Sequence, residues 1–364
     1  MVGSAPKEFM YHFIYRNIPD IKNIKKIGGN IQYIGKYTNS VQASFTAPLS
    51  LKNGFQDPNL VHIERDDQIS LPAYQILNPS LYQEEIRIVP AQNAKMICPW
   101  HIKKVIGLKR LASGSGVRVG VVDTGIDLSH PDLAQNIKGG INILSPSRAP
   151  YDFNGHGTHI AGTIGAAYGK GLVGVAPRVS LYPIKVLNRF GSGSVSNLVK
   201  GIEWGIANHM HILNVSISGG MVIPTVLVKA IQTATQKGII IVSAAGNGGN
   251  ARGEGDSVEI PARIPGTISV AAVTKNMKRA TFSATGRIDI SAPGVNILSA
   301  YSRGRYAILN GTSMAAAHVS GVLAIYKQIL PEIGIHQLKR VLFKRSIPSH
   351  GKTRHYGHGF VQAR

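Results

Sequence analysis

At 364 residues with 43% hydrophobic content, the chain is long enough for one large core and a smaller unit beside it. One cysteine, Cys98, excludes an intrachain disulfide, and no apolar run reaches the roughly 18 residues of a membrane-spanning helix. The formal net charge of +22 raises nucleic acid or an anionic surface as a partner. Against nucleic acid, the basic pairs Lys103-Lys104, Lys109-Arg110, Lys339-Arg340 and Lys344-Arg345 are dispersed, and no nucleic-acid motif accompanies them.

Residues 1–7 carry no hydrophobic core of an export signal, so localisation stays open. Apolar, β-rich runs at 9–15, 31–34, 41–46 and 61–66, with a short helix over 21–27, predict a small α+β unit in residues 1–70. Residues 71–96 contain Pro72, Pro79 and Pro90 and read as a linker. From residue 97 to 364 the pattern changes. Continuous apolar runs at 117–122, 211–215 and 239–242 alternate with helix-like stretches at 196–208 and 226–237. This predicts an α/β domain with a mostly parallel sheet covered on both faces, in which chemistry collects beyond the carboxyl ends of the strands.

Run 117–122 ends at Asp123-Thr124-Gly125, and run 239–242 leads to Ala245-Gly246-Asn247-Gly248. Gly155-His156-Gly157-Thr158-His159 opens a small-residue stretch, and Asn310-Gly311-Thr312-Ser313 precedes a helix-forming run over 314–330. A serine before a helix is an ordinary cap, yet it also lies beside unpaired N–H groups that stabilise negative charge. As a nucleophile it needs a base and a third group to orient that base. His156, disfavoured as a cation in a first helical turn, and Asp123 are of those types. A catalytic metal is the competing reading, because His156 and His159 lie three apart with Asp127, Asp132 and Asp152 nearby. The lack of a His-Glu-x-x-His pattern or a cysteine pair counts against it.

In order along the chain, Asp123-Thr124-Gly125-Ile126-Asp127, His156-Gly157-Thr158-His159-Ile160-Ala161-Gly162 and Gly311-Thr312-Ser313-Met314-Ala315 resemble the three signature blocks of the subtilisin-like serine proteases. Residues 128–133, 174–177 and 357–361 also read as family sequence. The resemblance implies a three-layer subtilisin-like fold for residues 97–364 and a serine endopeptidase acting through Asp123, His156 and Ser313. Asn247 matches the side-chain oxyanion donor, working with the Ser313 N–H and, as a lesser contributor, Thr312. An extended peptide substrate would pair with Gly191-Ser192-Gly193 and Ser216-Ile217-Ser218. Ser218 stands where the family has glycine, which narrows the side-chain pocket. Gly246 borders that pocket and Glu259 falls on its lower lining, where a carboxylate favours Lys or Arg before the cut bond. The other reading of Glu259 is a solvated loop residue.

The same resemblance makes residues 1–70 an inhibitory propeptide and the protein a self-processing zymogen. The cut is expected within 71–96, near Leu71, Arg87 or Lys95. Implied partners are protein or peptide substrates and the chain's own propeptide, with a monomer expected. Family resemblance favours export. The loop 167–173 is short, lacks the asparagine or aspartate of the family's tight calcium site and adds Lys170. That site, to which Asp132 belongs, is therefore expected to be degraded, Asp289 is a weaker cation candidate, and no cofactor is required. The alternatives are a pseudoprotease or an anionic-polymer-binding protein. A pseudoprotease needs a broken triad or oxyanion donor, and none is broken here.

Overall fold

The computed structural model describes residues 8–49, 57–77, 97–107, 111–169 and 171–363. Arg87, Lys95 and Lys170 lie outside the described residues, as does the expected linker beyond residue 77. The N-terminal unit consists of β1 (Phe9–Tyr15), α1 (Ile21–Lys26), β2 (Asn30–Gly35), β3 (Ser40–Phe45) and β4 (Leu60–Arg65). The strands form an antiparallel sheet in the order β2-β3-β1-β4. Alternation along the strands sorts its two faces. Tyr11, Phe13, Tyr15, Val41, Ala43 and Phe45 pack with Ile24 of α1. On the other face His12, Gln42 and Ser44 are polar yet buried, because that face lies against helices of the large unit.

Next come β5 (Gln68–Ser70), β6 (Gln75–Leu77), α2 (Trp100–Ile106), β7 (Arg118–Asp123), β8 (Ile141–Asn142) and α3 (His156–Gly165). The chain continues through β9 (Ser180–Lys185), β10 (Ser192–Ser194), α4 (Val195–Ala207), β11 (Ile212–Val215), α5 (Thr225–Gln236), β12 (Ile240–Ala244) and β13 (Thr267–Val273). It ends with β14 (Ile290–Pro293), β15 (Ile297–Tyr301), β16 (Arg305–Asn310), α6 (Thr312–Ile329), α7 (Ile335–Lys344) and α8 (Thr353–Tyr356). The central sheet has the order β14-β13-β12-β11-β7-β9-β8 with every pair parallel. Strands β11, β12 and β13 are buried throughout, as a sheet covered on both faces requires. Helices α3 and α6 share a core with one face, while α4 and α5 share a core with the other. The expected three layers are present. The small residues Ala315, Ala316 and Ala317 let α6, buried from Thr312 to Tyr326, lie close to the sheet.

Carboxylates join the two units. Glu64, at the end of β4, accepts the N–H groups of Thr225 and Val226 at 2.8 Å each. These open α5, whose own N-cap, Pro224, makes no side-chain bond. Asp66 accepts the Ser196 N–H in the first turn of α4 at 2.9 Å. In the reverse direction, buried Glu203 of α4 accepts Tyr37 N (3.0 Å), Lys36 N (3.2 Å), Thr38 Oγ1 (2.9 Å) and the Tyr33 hydroxyl. Each carboxylate finds orphan donors at a helix start or loop, and hydrogen bonds to a charged group contribute roughly 1.5–3 kcal/mol apiece.

Residues 68–77 then leave the N-terminal unit and cross the large one. β5 pairs antiparallel with β10, and β6 pairs antiparallel with β16. Part of the stretch that reads as a linker is therefore held in extended form.

Candidate active site

Asp123 ends β7 and His156 begins α3, and both are fully buried. The His156 Nδ1 lies 2.9 and 3.0 Å from the two Asp123 oxygens. A carboxylate accepts only, so Nδ1 carries the proton and Nε2 keeps a lone pair. The turn that delivers His156 is organised by Asp152, whose carboxylate accepts Asn154 N, Gly155 N, Thr158 N, Thr158 Oγ1 and Thr124 Oγ1. Burial pushes the Asp152 carboxyl up from its ordinary range, and these donors offset that shift. Gly157 permits the close approach, since a Cβ there would stand 2.1 Å from the Gly125 carbonyl oxygen.

Ser313 lies in the first turn of α6. Among the described residues, neither its Oγ nor the His156 Nε2 has a hydrogen-bond partner. Asn247, just past β12, donates from Nδ2 to the carbonyl oxygen of Ala73 at 2.6 Å. Its Oδ1 accepts both the N–H (2.9 Å) and the hydroxyl (2.8 Å) of Thr312, which turns the amide group toward the cleft. Thr312 thus reaches the Ala73 carbonyl only through Asn247. The next residue, Tyr74, packs against His156 with ring centroids 5.1 Å apart and planes tilted by 48°, and its hydroxyl meets Asn154 Oδ1 at 3.3 Å.

Upstream of Ala73 the chain is paired on both sides. Ser70 exchanges two backbone bonds with Ser218, at 2.8 and 2.9 Å, and the Leu71 N–H donates to the Gly191 carbonyl at 2.8 Å. β5 lies opposite Ser192 and Gly193 in β10. The pairing stops at Pro72, which has no N–H. Gly191, Ser192, Gly193 and Ser218 therefore flank an extended segment, and that segment belongs to the chain itself. Ser216 and Ile217 continue the same wall toward Ser313, with the Ser216 hydroxyl donating to the Ser313 carbonyl at 3.3 Å.

Glu259 lies between Ala245-Gly246 and Gly220. Its N–H donates to the Ala245 carbonyl at 3.0 Å, and its carboxylate oxygen stands 3.0 Å from where a Cβ on Gly246 would be. Burial pushes the carboxyl up, with the Gly220 N–H opposing, and among the described residues no cation pairs with it. Asp132 is satisfied by protein donors: Gly171 N at 2.7 Å, Leu172 N at 2.9 Å and the Tyr306 hydroxyl at 2.9 Å. Asp289 accepts Ser269 N at 2.8 Å and pairs with Arg287 at 3.3 Å.

Behind Ser313, His318 anchors α6 through a buried chain of bonds that the sequence does not suggest. Its Nδ1 lies 2.8 Å from the Met314 carbonyl, and its Nε2 lies 2.8 Å from Nδ1 of His101 in α2. The His101 Nε2 in turn meets the Leu298 carbonyl at 3.0 Å. Burial pushes His318 down to about 4 and His101 well below its ordinary value.

An imidazole held by a buried carboxylate, a serine in the first turn of a helix and a side-chain amide donor, all beyond the carboxyl ends of a parallel sheet, are the groups that acyl transfer by a serine hydrolase uses. The profile of the Subtilase family matches residues 114–359, and the chain belongs to that family; it is a serine endopeptidase with the subtilisin fold. It is 44% identical over 270 residues to Subtilisin Savinase of Lederbergia lenta, covering 73% of this chain and 97% of that one. M-protease of Shouchella clausii (strain KSM-K16) is 40% identical over 312 residues, 84% of this chain and 74% of that one. Subtilisin E of Bacillus subtilis (strain 168) is 36% identical over 342 residues, 93% of this chain and 83% of that one.

Proposed function

We propose that Asp123, His156 and Ser313 are the catalytic triad of this endopeptidase, made as a zymogen whose N-terminal unit inhibits it. The observation that carries the reading is the Ala73 carbonyl resting on Asn247 beside the Asp123–His156 pair. In this mechanism the His156 Nε2 takes the Ser313 Oγ proton as Oγ bonds to the substrate carbonyl carbon. The new oxyanion is held by Asn247 Nδ2 and the Ser313 N–H. His156 then returns the proton to the leaving nitrogen, and water repeats the sequence on the acyl-enzyme. A fluorophosphonate probe tests the assignment: it should attach at Ser313, and attachment elsewhere or none at all removes it.

Residues 68–77 occupy the cleft in this reading as an internal substrate, with the first cut between Ala73 and Tyr74. The match to subtilisin E over 93% of the chain reaches into the N-terminal unit and supports a shared propeptide.

For external substrates we assign Glu259 to the floor of the P1 pocket, favouring Lys or Arg. A charged hydrogen bond in such a pocket is worth roughly 1.5–3 kcal/mol, or about 10–100-fold in kcat/KM. Glu259→Gln should therefore lower kcat/KM for P1 Arg by that factor while sparing P1 Leu. A peptide library in which Leu or Phe exceeds Arg, with no change in the variant, refutes the assignment.

We read the tight calcium site as degraded: the two Asp132 oxygens already accept three protein donors, which compete with a cation for their lone pairs. Chelator should move Tm by less than about 2 °C, because roughly 1 kcal/mol corresponds to 2–4 °C in a chain of this size. A drop several times larger counts against the loss of the site.

A further inference from the structure

A second cavity lies on the edge of the sheet opposite the cleft. Its volume is ≈ 470 Å³, within the range of small-molecule sites. Arg118, His209, His211, Lys237 and Lys327 line it, and no Asp or Glu does. Arg118 begins β7, whose other end is Asp123. Lys327 is 14 residues along α6 from Ser313, or about 21 Å at helical rise. Tyr37 of the N-terminal unit completes the rim.

Helix ends account for part of this charge. α4 ends just before His209, α5 ends just before Lys237, and Lys327 is in the last turn of α6. Each helix C-terminus carries roughly half a negative charge, so three of them balance about half of the three permanent cations. Lys327 also donates to the Pro331 and Ile333 carbonyls. Arg118 has no such duty: it opens a strand, and its Nε is buried without a hydrogen-bond partner among the described residues. No ion pair joins any of these five residues among the described residues. Cations act on His211 from two sides of the cavity. Burial first, then Arg118 and Lys327, push it below its ordinary value. Its Nδ1 accepts the Arg118 N–H at 2.9 Å, so the neutral ring carries its proton on Nε2 as a further donor.

We propose that this cavity binds chained phosphate groups, with Arg118 as the central donor and Lys237 and Lys327 as flanking cations. Arg offers a planar fork matched to phosphate oxygens and Lys a point charge. A single phosphate leaves part of three cations unneutralised, whereas a chain of phosphates spans them. The phosphates can belong to a free oligophosphate or to a phosphorylated organic molecule whose ring stacks on Tyr37.

Calorimetric titration of the full chain, kept uncut by Ser313→Ala, with tripolyphosphate and with ATP, at about 50 mM salt to limit screening, tests this. One site per chain is expected, weakened at least tenfold by Arg118→Gln and by Lys237→Gln. Lys237 is exposed, so its replacement leaves the fold intact. Equal affinity for the two ligands identifies free oligophosphate as the source, and tighter ATP identifies a phosphorylated organic molecule. Absence of binding overturns the proposal. So does an equal loss in Lys22→Gln, a control on the remote α1 that removes the same charge from the general field. Peptidase activity should be unchanged in Lys237→Gln.

Discussion

Replacing Ser313 by alanine is expected to abolish peptide hydrolysis and to leave the chain as a single polypeptide of 364 residues. The predicted loss in kcat is on the order of 10⁶, the size found when the serine of a subtilisin triad is removed. The residual rate over water comes from what the substitution leaves behind, Asn247 and the strands that bind the peptide. The native chain should be cut after Ala73, because among the described residues that carbonyl receives the Asn247 amide while Tyr74 covers His156. N-terminal sequencing of the large fragment should read from Tyr74. Two results would sink the assignment: appreciable hydrolysis by the alanine variant, or a shortened alanine variant in a preparation free of other proteases. A native chain that labels at Ser313 but starts elsewhere removes only the Ala73–Tyr74 cut and leaves the triad standing.

Asp123→Asn should cost roughly 10⁴ in kcat with little change in fold, the magnitude known for the equivalent change in another serine protease triad. The reason is the direction of one proton. Both Asp123 oxygens lie within 3.0 Å of the His156 Nδ1, and Oδ1 also accepts the Thr124 N–H at 2.7 Å. An asparagine would aim its oxygen at the Thr124 N–H and its amide hydrogens at Nδ1. The imidazole proton would then move to Nε2, where the lone pair is needed. Burial adds to the cost: it pushes the Lys185 ammonium below its ordinary value, Asp152 and then Asp123 oppose that shift, and Lys185 reaches the Thr124 carbonyl. Steady-state kinetics on a peptide amide should show the fall in kcat with KM nearly constant. Retention of more than about a tenth of the activity contradicts the role given to Asp123.

The residues proposed for the chemistry were legible because each stands at an element boundary that its neighbours announce. Asp123 follows a run of β-branched residues, His156 and Ser313 follow glycines, and all three fall within a residue or two of the observed helix and strand ends. The strands of the N-terminal unit were legible as apolar, β-rich runs, although β3 is buried on both faces and β1 from Tyr11 onward. What was hidden depends on partners far away in the chain. His101 and His318 are separated by 217 residues, and nothing near either one announces the other. Asp152 looked like one acid among several until Thr124, Gly155 and Thr158 were seen folded around it. Prolines made residues 71–77 look like a linker. Their extended form comes from Gly191, which accepts the Leu71 N–H, and from β16, which pairs with residues 75–77, and neither is nearby in sequence. Thr312 was read as a lesser contributor beside the oxyanion; in the structure its N–H and hydroxyl donate to Asn247 Oδ1.

Glu64 and Asp66 bring a further consequence. The uncapped N terminus of α5 and, beside its own Ser194 cap, that of α4 are bonded to carboxylates that the large unit does not own. While the chain is intact, those carboxylates are present at a fixed, very high effective concentration. A cut between Ala73 and Tyr74 turns them into a separate molecule, and the stability of the large unit then obeys mass action. Stabilisation by such a partner is about 2.7 kcal/mol at a hundredfold excess over its dissociation constant and vanishes on dilution. One broken bond therefore makes the melting temperature of the large unit depend on protein concentration, which it does not before the cut.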